Sequence, residues 1–419
     1  MAGPFLKGLS FAILLAATDA VPHQRGKANS NDGGCAAPQQ PAVMAVGKAV
    51  YFLTNDKENA VVALPIGADG TLSNGTVTNT GGAGSIAIDG ATMQPGVPDA
   101  LVGQSSLTVA GNNIFAVNAG SNTLTMMSIS AADPTRLTML GQPVAIPGEF
   151  PNTVAASMKN KLVCVGTTGA VAGISCASFS AKKGLGKMDA LRAFDIGQTT
   201  PPVGPTNTVS QTFFSNDESM LFTTVKGDPA VNNTGFLSTF SVQQTRNGAS
   251  KLSMQDVRSS PQGTAVLFGS ATIPDTPDAL FVTDASFGAA VLSLNQNGEA
   301  TAAKAQAIDG QAATCWATIS DATKSAFVTD VGANRVVEMS IEDASIISQL
   351  DLSENGDPGL IDLKSGGNFI YALSPGNGTT DAAVTVLDVS GGQGSMKMAQ
   401  HFELGGIAGK TAQGMAVLL

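Results

Sequence analysis

The chain has 419 residues, a net charge of −10 and only 13% charged residues, whereas about a quarter is usual in soluble proteins. An acidic chain without a basic run gains little from phosphate counterion release, which argues against nucleic acid and anionic membrane surfaces as partners. The surface must instead be built from Ser, Thr, Asn, Gln and Gly, as is typical of extracellular glycoproteins.

The first 20 residues have the pattern of a secretory leader. Lys7 precedes a short apolar run at residues 9–17, and small residues lead to a cleavage site expected near Ala20. The run is shorter than the roughly 20 residues that a membrane span needs, and no other segment is long enough. Residues 21–41 are polar, which predicts a lead-in without a core of its own. We therefore expect a secreted protein without a membrane span, extracellular or associated with the cell wall.

Three N-glycosylation sequons support the prediction that the protein is secreted. They begin at Asn74, Asn232 and Asn377, and each lies beside Gly or Asn. In a secreted protein such sites mark exposed loops. The three asparagines are therefore predicted glycosylation sites.

From residue 42 onward, short β-rich runs alternate with turn residues, which is the pattern of an all-β protein. A hairpin-like unit recurs seven times. Its anchors are Tyr51, Phe115, Val163, Phe222, Phe281, Phe327 and Tyr371. Their average spacing of about 53 residues fits a four-stranded blade of roughly 40–50 residues with enlarged loops, the largest being a Gly-rich insert at 75–96. The sequence thus predicts an all-β, seven-bladed β-propeller of four-stranded antiparallel blades over residues 42–419, which we expect to be a monomer.

Small, apolar runs precede six of the units and are predicted to be the innermost strands, where blades crowd the axis. They span Ser106–Val109, Thr153–Ala156, Thr208–Gln211, Thr264–Leu267, Ala317–Ile319 and Leu360–Leu363, and none contains His, Arg or Lys. The first unit has two candidates, Ala42–Val46 and Gly414–Val417. One terminal strand is therefore expected to close the ring and hide the sheet edges, and the sequence leaves open which terminus supplies it.

Asx residues occupy the positions at which the chain must reverse, namely Asn55, Asn118, Asp284 and Asp330. Such side chains accept hydrogen bonds from their own backbone two residues on. A ring of calcium-binding carboxylates is the alternative, but it needs several acidic residues on the axis. Asp362 is the only one on a predicted inner strand, so we predict turn chemistry, no metal and no cofactor.

The four cysteines are consistent with two disulfides in an oxidising compartment. Cys164 and Cys176 flank a Gly-rich stretch, and their sulfurs can meet across neighbouring strands if this stretch is a hairpin. Cys35 and Cys315 remain, and their pairing would tie the lead-in to a late blade. A metal role is not expected, because there is no close cysteine pair and histidines are scarce.

Three stretches are distinctive, namely Tyr51–Leu72, Phe115–Leu124, and Ala313–Trp316 together with Phe327–Asp330. They resemble fungal secreted 3-carboxymuconate cyclase-like proteins. The resemblance covers nearly the whole mature chain, and the wider group is the lactonase-type seven-bladed propellers. It implies that any site lies in the central channel. Catalytic members of the cyclase branch are expected to use a channel His with several Arg or Glu residues, because cations must hold the tricarboxylate and an acid must protonate it.

The sequence departs from that expectation. Its two histidines are His23, in the lead-in, and His401, near the last outer strand. The leading hypothesis is therefore a secreted or cell-surface fungal glycoprotein that is non-catalytic and acts by binding or adhesion. Its partner would be an extracellular host or cell-wall ligand.

The alternative hypothesis is a lactonase or an intramolecular lyase acting on a small carboxylate. Its candidate catalytic residues are Glu149, just before the third inner strand, and Lys226 and Arg335 at blade turns. Each also has a structural interpretation. Glu149 could be a solvated loop charge, Lys226 an exposed turn cation, and Arg335 a side chain whose aliphatic stem covers apolar blade surface. Trp316 could stack on a ligand at the channel mouth or pack against a disulfide. An enzyme predicts charged groups converging in the channel, whereas a binding protein predicts a bland or plugged channel.

Overall fold

The computed structural model describes residues 46–419, apart from the side chain of Ala303. The predicted leader, the lead-in with His23 and Cys35, and all but the last residue of the candidate strand at 42–46 lie outside the described residues. Within the described range the regular secondary structure is almost entirely β, with two short 3-10 helices at Pro229–Val231 and Ser353–Asn355. None of its helices is long and apolar enough to cross a membrane.

The strands follow one another blade by blade. Blade 1 contains β1 (Ala49–Leu53), β2 (Ala60–Pro65) and β3 (Thr76–Asn79), and β4 (Ile88–Asp89) lies in the insert that follows. Blade 2 contains β5 (Leu107–Ala110), β6 (Asn113–Asn118), β7 (Thr123–Ile129), β8 (Leu137–Met139) and β9 (Val144–Ala145). Blade 3 contains β10 (Pro151–Ser157), β11 (Leu162–Thr167), β12 (Gly173–Ser180), β13 (Gly184–Leu185) and β14 (Arg192–Ala193), and β15 (Val203–Gly204) follows it. Blade 4 contains β16 (Val209–Phe214), β17 (Met220–Val225), β18 (Phe236–Gln244), β19 (Ser250–Leu252) and β20 (Val257–Ser259).

The last three blades each have four strands of their own. Blade 5 contains β21 (Leu267–Thr272), β22 (Ala279–Asp284), β23 (Gly288–Leu294) and β24 (Ala300–Ala307). Blade 6 contains β25 (Thr314–Ser320), β26 (Ser325–Asp330), β27 (Arg335–Ser340) and β28 (Ile346–Asp351). Blade 7 contains β29 (Leu363–Gly366), β30 (Phe369–Ser374), β31 (Ala383–Asp388) and β32 (Lys397–Glu403), and β33 (Gln413–Leu418) ends the chain. The predicted seven-bladed β-propeller of antiparallel blades is confirmed.

The ring is closed by the C-terminal strand. Strand β33 pairs antiparallel with β1, with Ala49 opposite Leu418 and Tyr51 opposite Ala416, and takes the inner position of blade 1. Of the two candidates for this strand, the structure places the C-terminal one. Blade 1 thus joins both ends of the described chain, which pairs edges that would otherwise stay open.

Two inner strands begin three residues later than predicted. Strand β21 starts at Leu267 because the N–H groups of Ala265 and Val266 bind the Asp284 carboxylate instead of a neighbouring strand. Strand β29 starts at Leu363 because Asp362 has a left-handed φ of 55°. Lys364 therefore lies on an inner strand, and the prediction that no inner strand carries a cation is wrong for blade 7.

The core lies between blades. All seven anchor residues fall on the second strand of a blade and are no more than 1% exposed. Burial of a side chain of this size contributes roughly 1.5–3 kcal/mol. Because the same packing recurs around the ring, a chain of this length folds without one large central core.

The Gly-rich insert packs onto the face of the ring where the inner strands begin. Strand β4 pairs in parallel with β15, so that the insert spans from blade 1 to the connection between blades 3 and 4. The Asn55 side chain holds the middle of the insert, since Nδ2 donates to the carbonyl of Ser85 (2.7 Å) and Oδ1 accepts from the Ser85 N–H (3.2 Å). The insert thereby forms one wall of a cavity at the axis.

Candidate functional site

Residues 99–106, here called the axial segment, cross the central channel between the insert and β5. The Gln104 N–H donates to the carbonyl of Ser210 on blade 4 (2.8 Å). Its side chain reaches blade 6, where Nε2 donates to the Ala317 carbonyl (2.8 Å) and Oε1 accepts from the Ala317 N–H (3.1 Å). One residue therefore connects two inner strands that are not neighbours, and the channel is plugged at this level.

Buried side chains from other blades hold the same segment. Asn152 on blade 3 donates to the carbonyl of Leu101 (3.2 Å), and the Asp362 carboxylate accepts from the N–H groups of Ser105 (3.2 Å) and Met415 (3.0 Å). Burial raises the pKa of Asp362, and nearby Lys364 opposes this effect. The Asp362 carboxylate thus ties the axial segment to the closing strand of blade 1.

The backbone of the axial segment is strained. Val102 and Ser105 have left-handed φ values of 49° and 66°, which are unusual for residues with a side chain, above all a β-branched one. A Cβ atom on Gly103 would come within 2.6 Å of the Asn152 Nδ2 and 2.7 Å of the Ser210 carbonyl. Such conformations cost of order 1–3 kcal/mol each and persist where surrounding contacts enforce them.

On the insert side of the axial segment lies a cavity of about 280 Å³, here called the cup. Its walls are mostly apolar and include Val266, Phe268, Val331 and Pro205. The polar or ionisable side chains that line it are Asp89, Asp99, Lys226, Cys315 and Trp316. An apolar hollow with a few polar groups is the usual form of a small-molecule site.

Lys226, one of the predicted candidates, is buried in the wall of the cup. Its Nζ donates to the Val102 carbonyl (2.5 Å) and lies 4.2 Å from the centroid of the Phe268 ring. Burial lowers the pKa of Lys226 to about 8, and the nearby Asp99 carboxylate acts in the opposite direction. The interpretation of Lys226 as an exposed turn cation is wrong, because the side chain turns inward.

Asp99 lines the same cup and was not singled out from the sequence. Burial raises the pKa of its carboxyl group to about 6, against the effect of Lys226 and of a hydrogen bond from Gln413 Nε2 (3.0 Å). An acid and a base whose pKa values are both moved towards neutrality in one cavity are typical of functional sites, although buried structural pairs show the same shifts.

Trp316 also lines the cup, but its ring is only 1% exposed. It packs edge-on against Phe268 at a centroid distance of 4.8 Å, and Nε1 donates to the Gly103 carbonyl (3.3 Å). Trp316 therefore supports the axial segment and offers no free face for stacking. Cys315 beside it is buried and forms no disulfide with a described residue, and its predicted partner Cys35 lies outside them.

The other two catalytic candidates lie outside the cup. Glu149 accepts a hydrogen bond from the Thr200 hydroxyl in the blade 3 loops (2.5 Å). Arg335 pairs with the buried Asp330 at 2.8 Å and donates to the Asp309 carbonyl (2.9 Å). The structure thus brings only Lys226 of the three predicted candidates to the channel.

Of the two acidic turn residues, Asp284 makes the predicted contact with the backbone two residues on, at Ser286, whereas Asp330 makes no such contact among the described residues. Asp284 accepts from the N–H of Ala265 (2.7 Å) and of Ser286 (2.9 Å), and Asp330 accepts from the N–H of Ala312 (2.8 Å). Between residues 46 and 419, no three His, Cys, Asp or Glu side chains are grouped closely enough to hold a metal ion.

The remaining predicted sites lie away from the axis. Cys164 and Cys176 face each other on β11 and β12 and form the predicted disulfide. His401 lies on β32, the outermost strand of blade 7, and contacts the buried Asp357 carboxylate (3.1 Å). The three sequon asparagines, Asn74, Asn232 and Asn377, are exposed on loops.

No protein-family model matches the chain, and no curated protein sequence matches it. Among solved structures, the periplasmic gluconolactonase of Pseudomonas aeruginosa is similar with a TM-score of 0.64 and 15% identity, over 88% of this chain and 99% of that one. A putative 6-phosphogluconolactonase from Bacteroides uniformis is similar with a TM-score of 0.53 and 14% identity, over 69% of this chain and 80% of that one. A putative 6-phosphogluconolactonase from Bacteroides fragilis is similar with a TM-score of 0.51 and 14% identity, over 72% of this chain and 81% of that one.

The chain shares the fold of these solved structures. At these identities the likeness concerns the fold alone, since one fold carries many functions. What this propeller does therefore depends on its own residues.

Proposed function

We propose that the chain is a secreted or cell-surface glycoprotein, of the fungal type that its sequence resembles, which acts by binding and does not cyclise carboxymuconate. The main support for the proposal is the position of the axial segment. Its residue Gln104 bridges blades 4 and 6 across the channel in which cyclase chemistry would take place. A plugged channel is what the binding hypothesis predicts, and it confines the open space on this side of the axial segment to the cup.

The charges around the cup support the same proposal. Lys226 is the one cation among the described residues that line it, and it is accompanied by the carboxylates of Asp89 and Asp99. A tricarboxylate would meet repulsion from these groups, and no Arg fork is present there to hold it. His401, the one histidine in the described range, is too far out on blade 7 to serve as a channel acid.

The test is a spectrophotometric assay of the purified secreted protein with 3-carboxy-cis,cis-muconate, following loss of the conjugated-diene absorbance. We expect no turnover at high protein concentration, with the protein folded by circular dichroism. Saturable turnover that survives repurification and disappears in Lys226→Met would overturn the proposal.

A second function, lactone hydrolysis in the cup, is favoured by the presence of Asp99 and Lys226 in one cavity. The Asp99 carboxylate would remove a proton from water as the water oxygen attacks the lactone carbonyl carbon, and the Lys226 ammonium would stabilise the oxyanion. The ring C–O bond then breaks, and the leaving alkoxide takes the proton back from Asp99. An uncharged ring suits this cup better than a carboxylate does.

This second function predicts its own pH profile. Asp99 must be ionised and Lys226 protonated, so activity would be bell-shaped between about pH 6 and about pH 8. The assay is pH-stat hydrolysis of glucono-δ-lactone above the spontaneous rate. Loss of hydrolysis in Asp99→Asn and Lys226→Met, with Glu149→Gln as active as the parent, would support this function. Hydrolysis at the spontaneous rate with the parent and all three variants would exclude it for this lactone.

A further inference from the structure

On the opposite side of the axial segment from the cup, two adjoining cavities of about 310 Å³ and 530 Å³ open on the far face of the ring. Phe213, Phe214 and Asn216 border both cavities, so that the two form one groove across the end of β16. We call it the lower groove. Each cavity has a volume typical of small-molecule sites.

The first lobe of the lower groove contains uncommitted hydrogen-bond donors. Gln211 Oε1 is fixed by the N–H of Ser270 (2.6 Å), which orients its amide, and Gln211 Nε2 makes no hydrogen bond with a described residue. Lys364 extends from blade 7 into the same lobe, and its Nζ has no hydrogen bond or ion pair with a described residue. The Thr108 hydroxyl borders the lobe as well.

The second lobe contains hydrogen-bond acceptors. Ser270 lies in its wall, but the Ser270 hydroxyl is buried within the protein and is not at the cavity surface. The carboxylates of Asp275 and Asp321 border this lobe and supply acceptors.

The rings of Phe213 and Phe214 separate the two sets of polar groups. Both side chains are half-buried, and Phe213 packs against Phe222 at a centroid distance of 5.4 Å, which fixes its orientation. An aromatic surface between hydrogen-bond donors and acceptors fits a ligand with an apolar C–H face and a rim of hydroxyl groups. An apolar partner would leave the Gln211 amide and the Lys364 ammonium unpaired, and a polyanion would meet Asp275 and Asp321.

From these contacts we infer that the lower groove binds a saccharide, with a sugar ring on Phe214 and hydroxyl groups on Gln211, Lys364 and Asp275. The inference rests on the proposed function and gives it a ligand class, since a secreted binding protein meets carbohydrate at cell walls and matrices. The cup takes no part in it.

The experiment is binding of the mature, disulfide-bonded protein to an array of mannose-, glucose-, galactose- and N-acetylglucosamine-terminated oligosaccharides, followed by calorimetry with the strongest binder. Phe214→Leu and Lys364→Gln are each expected to weaken binding at least tenfold. Lys397→Gln, on the outermost strand of the same blade, and Asp99→Asn, in the cup, are expected to bind as the parent does. Lys364→Gln keeps the test decisive if Phe214→Leu fails to fold.

An array without any bound saccharide would overturn the inference, as would equal affinity of Phe214→Leu and Lys364→Gln with the parent. Loss of binding in Asp99→Asn would overturn it too, because the ligand would then lie in the cup. None of these results restores carboxymuconate turnover, so failure of this inference is distinguishable from failure of the proposed function.

Discussion

Gln104 and Ala317 form a two-bond pair across the propeller axis, in which the side-chain amide of Gln104 satisfies both the N–H and the carbonyl of Ala317. The arrangement copies the pairing of an additional strand. It leaves Ala317 fully hydrogen-bonded at a position where the β25–β26 ladder is irregular, since the register shifts between Thr314 and Ala317. The axial segment is therefore part of the inner wall of blade 6.

Replacement of Gln104 by Ala should destabilise the protein strongly. Two buried backbone groups of Ala317 lose their partner, and each unpaired group costs about 1–3 kcal/mol, so that a loss of about 2–4 kcal/mol in the free energy of unfolding is expected. Urea unfolding followed by circular dichroism measures it. Gln296→Ala, at an exposed loop position, is the matched control, and equal stability of the two variants would show that the axial bridge contributes little.

The raised pKa of Asp99 makes a distinct prediction for stability against pH. The folded carboxyl group, with a pKa of about 6 instead of 3.8, binds a proton more tightly than the unfolded one. Its contribution to the free energy of unfolding therefore falls as pH rises from about 4 to about 6, and the penalty is complete above that range. At about 1.4 kcal/mol per pKa unit, the total is about 1–3 kcal/mol.

Asp99→Asn should remove this part of the pH dependence. The difference in free energy of unfolding between the parent and Asp99→Asn, measured in urea from about pH 4 to about pH 7, should change by about 1–3 kcal/mol. Other carboxylates are common to both proteins and cancel. Asp381→Asn, at an exposed loop position, should run parallel to the parent, and a parallel curve for Asp99→Asn would contradict the raised pKa.

Most of the fold could be predicted from the sequence repeat. The seven anchors from Tyr51 to Tyr371 are all buried on second strands, as their spacing predicts, and the Cys164–Cys176 bridge follows from the hairpin that encloses it. These features are local, because each depends on residues close together in sequence. Inner-strand starts were less predictable, since a side-chain contact from Asp284 and a left-handed Asp362 displace two of them.

The candidate site depends on contacts that no local pattern records. Gln104 and Ala317 are far apart in sequence, and the loop that contains Asp99 has no repeat or motif that would distinguish it. Lys226 could be singled out as a cation at a blade turn, but its direction depends on where Val102 and Phe268 lie. The one sequence signal of the axial segment is the length of the stretch between the first two anchors.

The exposure of the sequon asparagines predicts three occupied glycosylation sites when the chain is secreted from a eukaryotic cell. Partial digestion with an N-glycosidase should give a ladder of three steps on a denaturing gel. Asn74→Gln, Asn232→Gln and Asn377→Gln should each remove one step, because all three side chains are exposed on loops. A secreted protein whose mobility does not change on digestion would contradict both the sites and the glycoprotein proposal.

Arg335 should matter for stability and not for any chemistry at the axis. It pairs with Asp330, whose side chain is fully buried, and removal of one partner of such a pair commonly costs 3–5 kcal/mol. Because the Arg335 side chain is 18% exposed, water can reach the vacated position, and Arg335→Met should lose about 2–3 kcal/mol. Asp330→Asn combined with Arg335→Met should regain part of this loss, since no uncompensated charge then remains. Lys324→Met, which breaks the exposed Lys324–Asp321 pair, is the control and should have the same urea midpoint of unfolding as the parent. An equally small change in the midpoint for Arg335→Met would contradict a structural role and make Arg335 a candidate functional residue again.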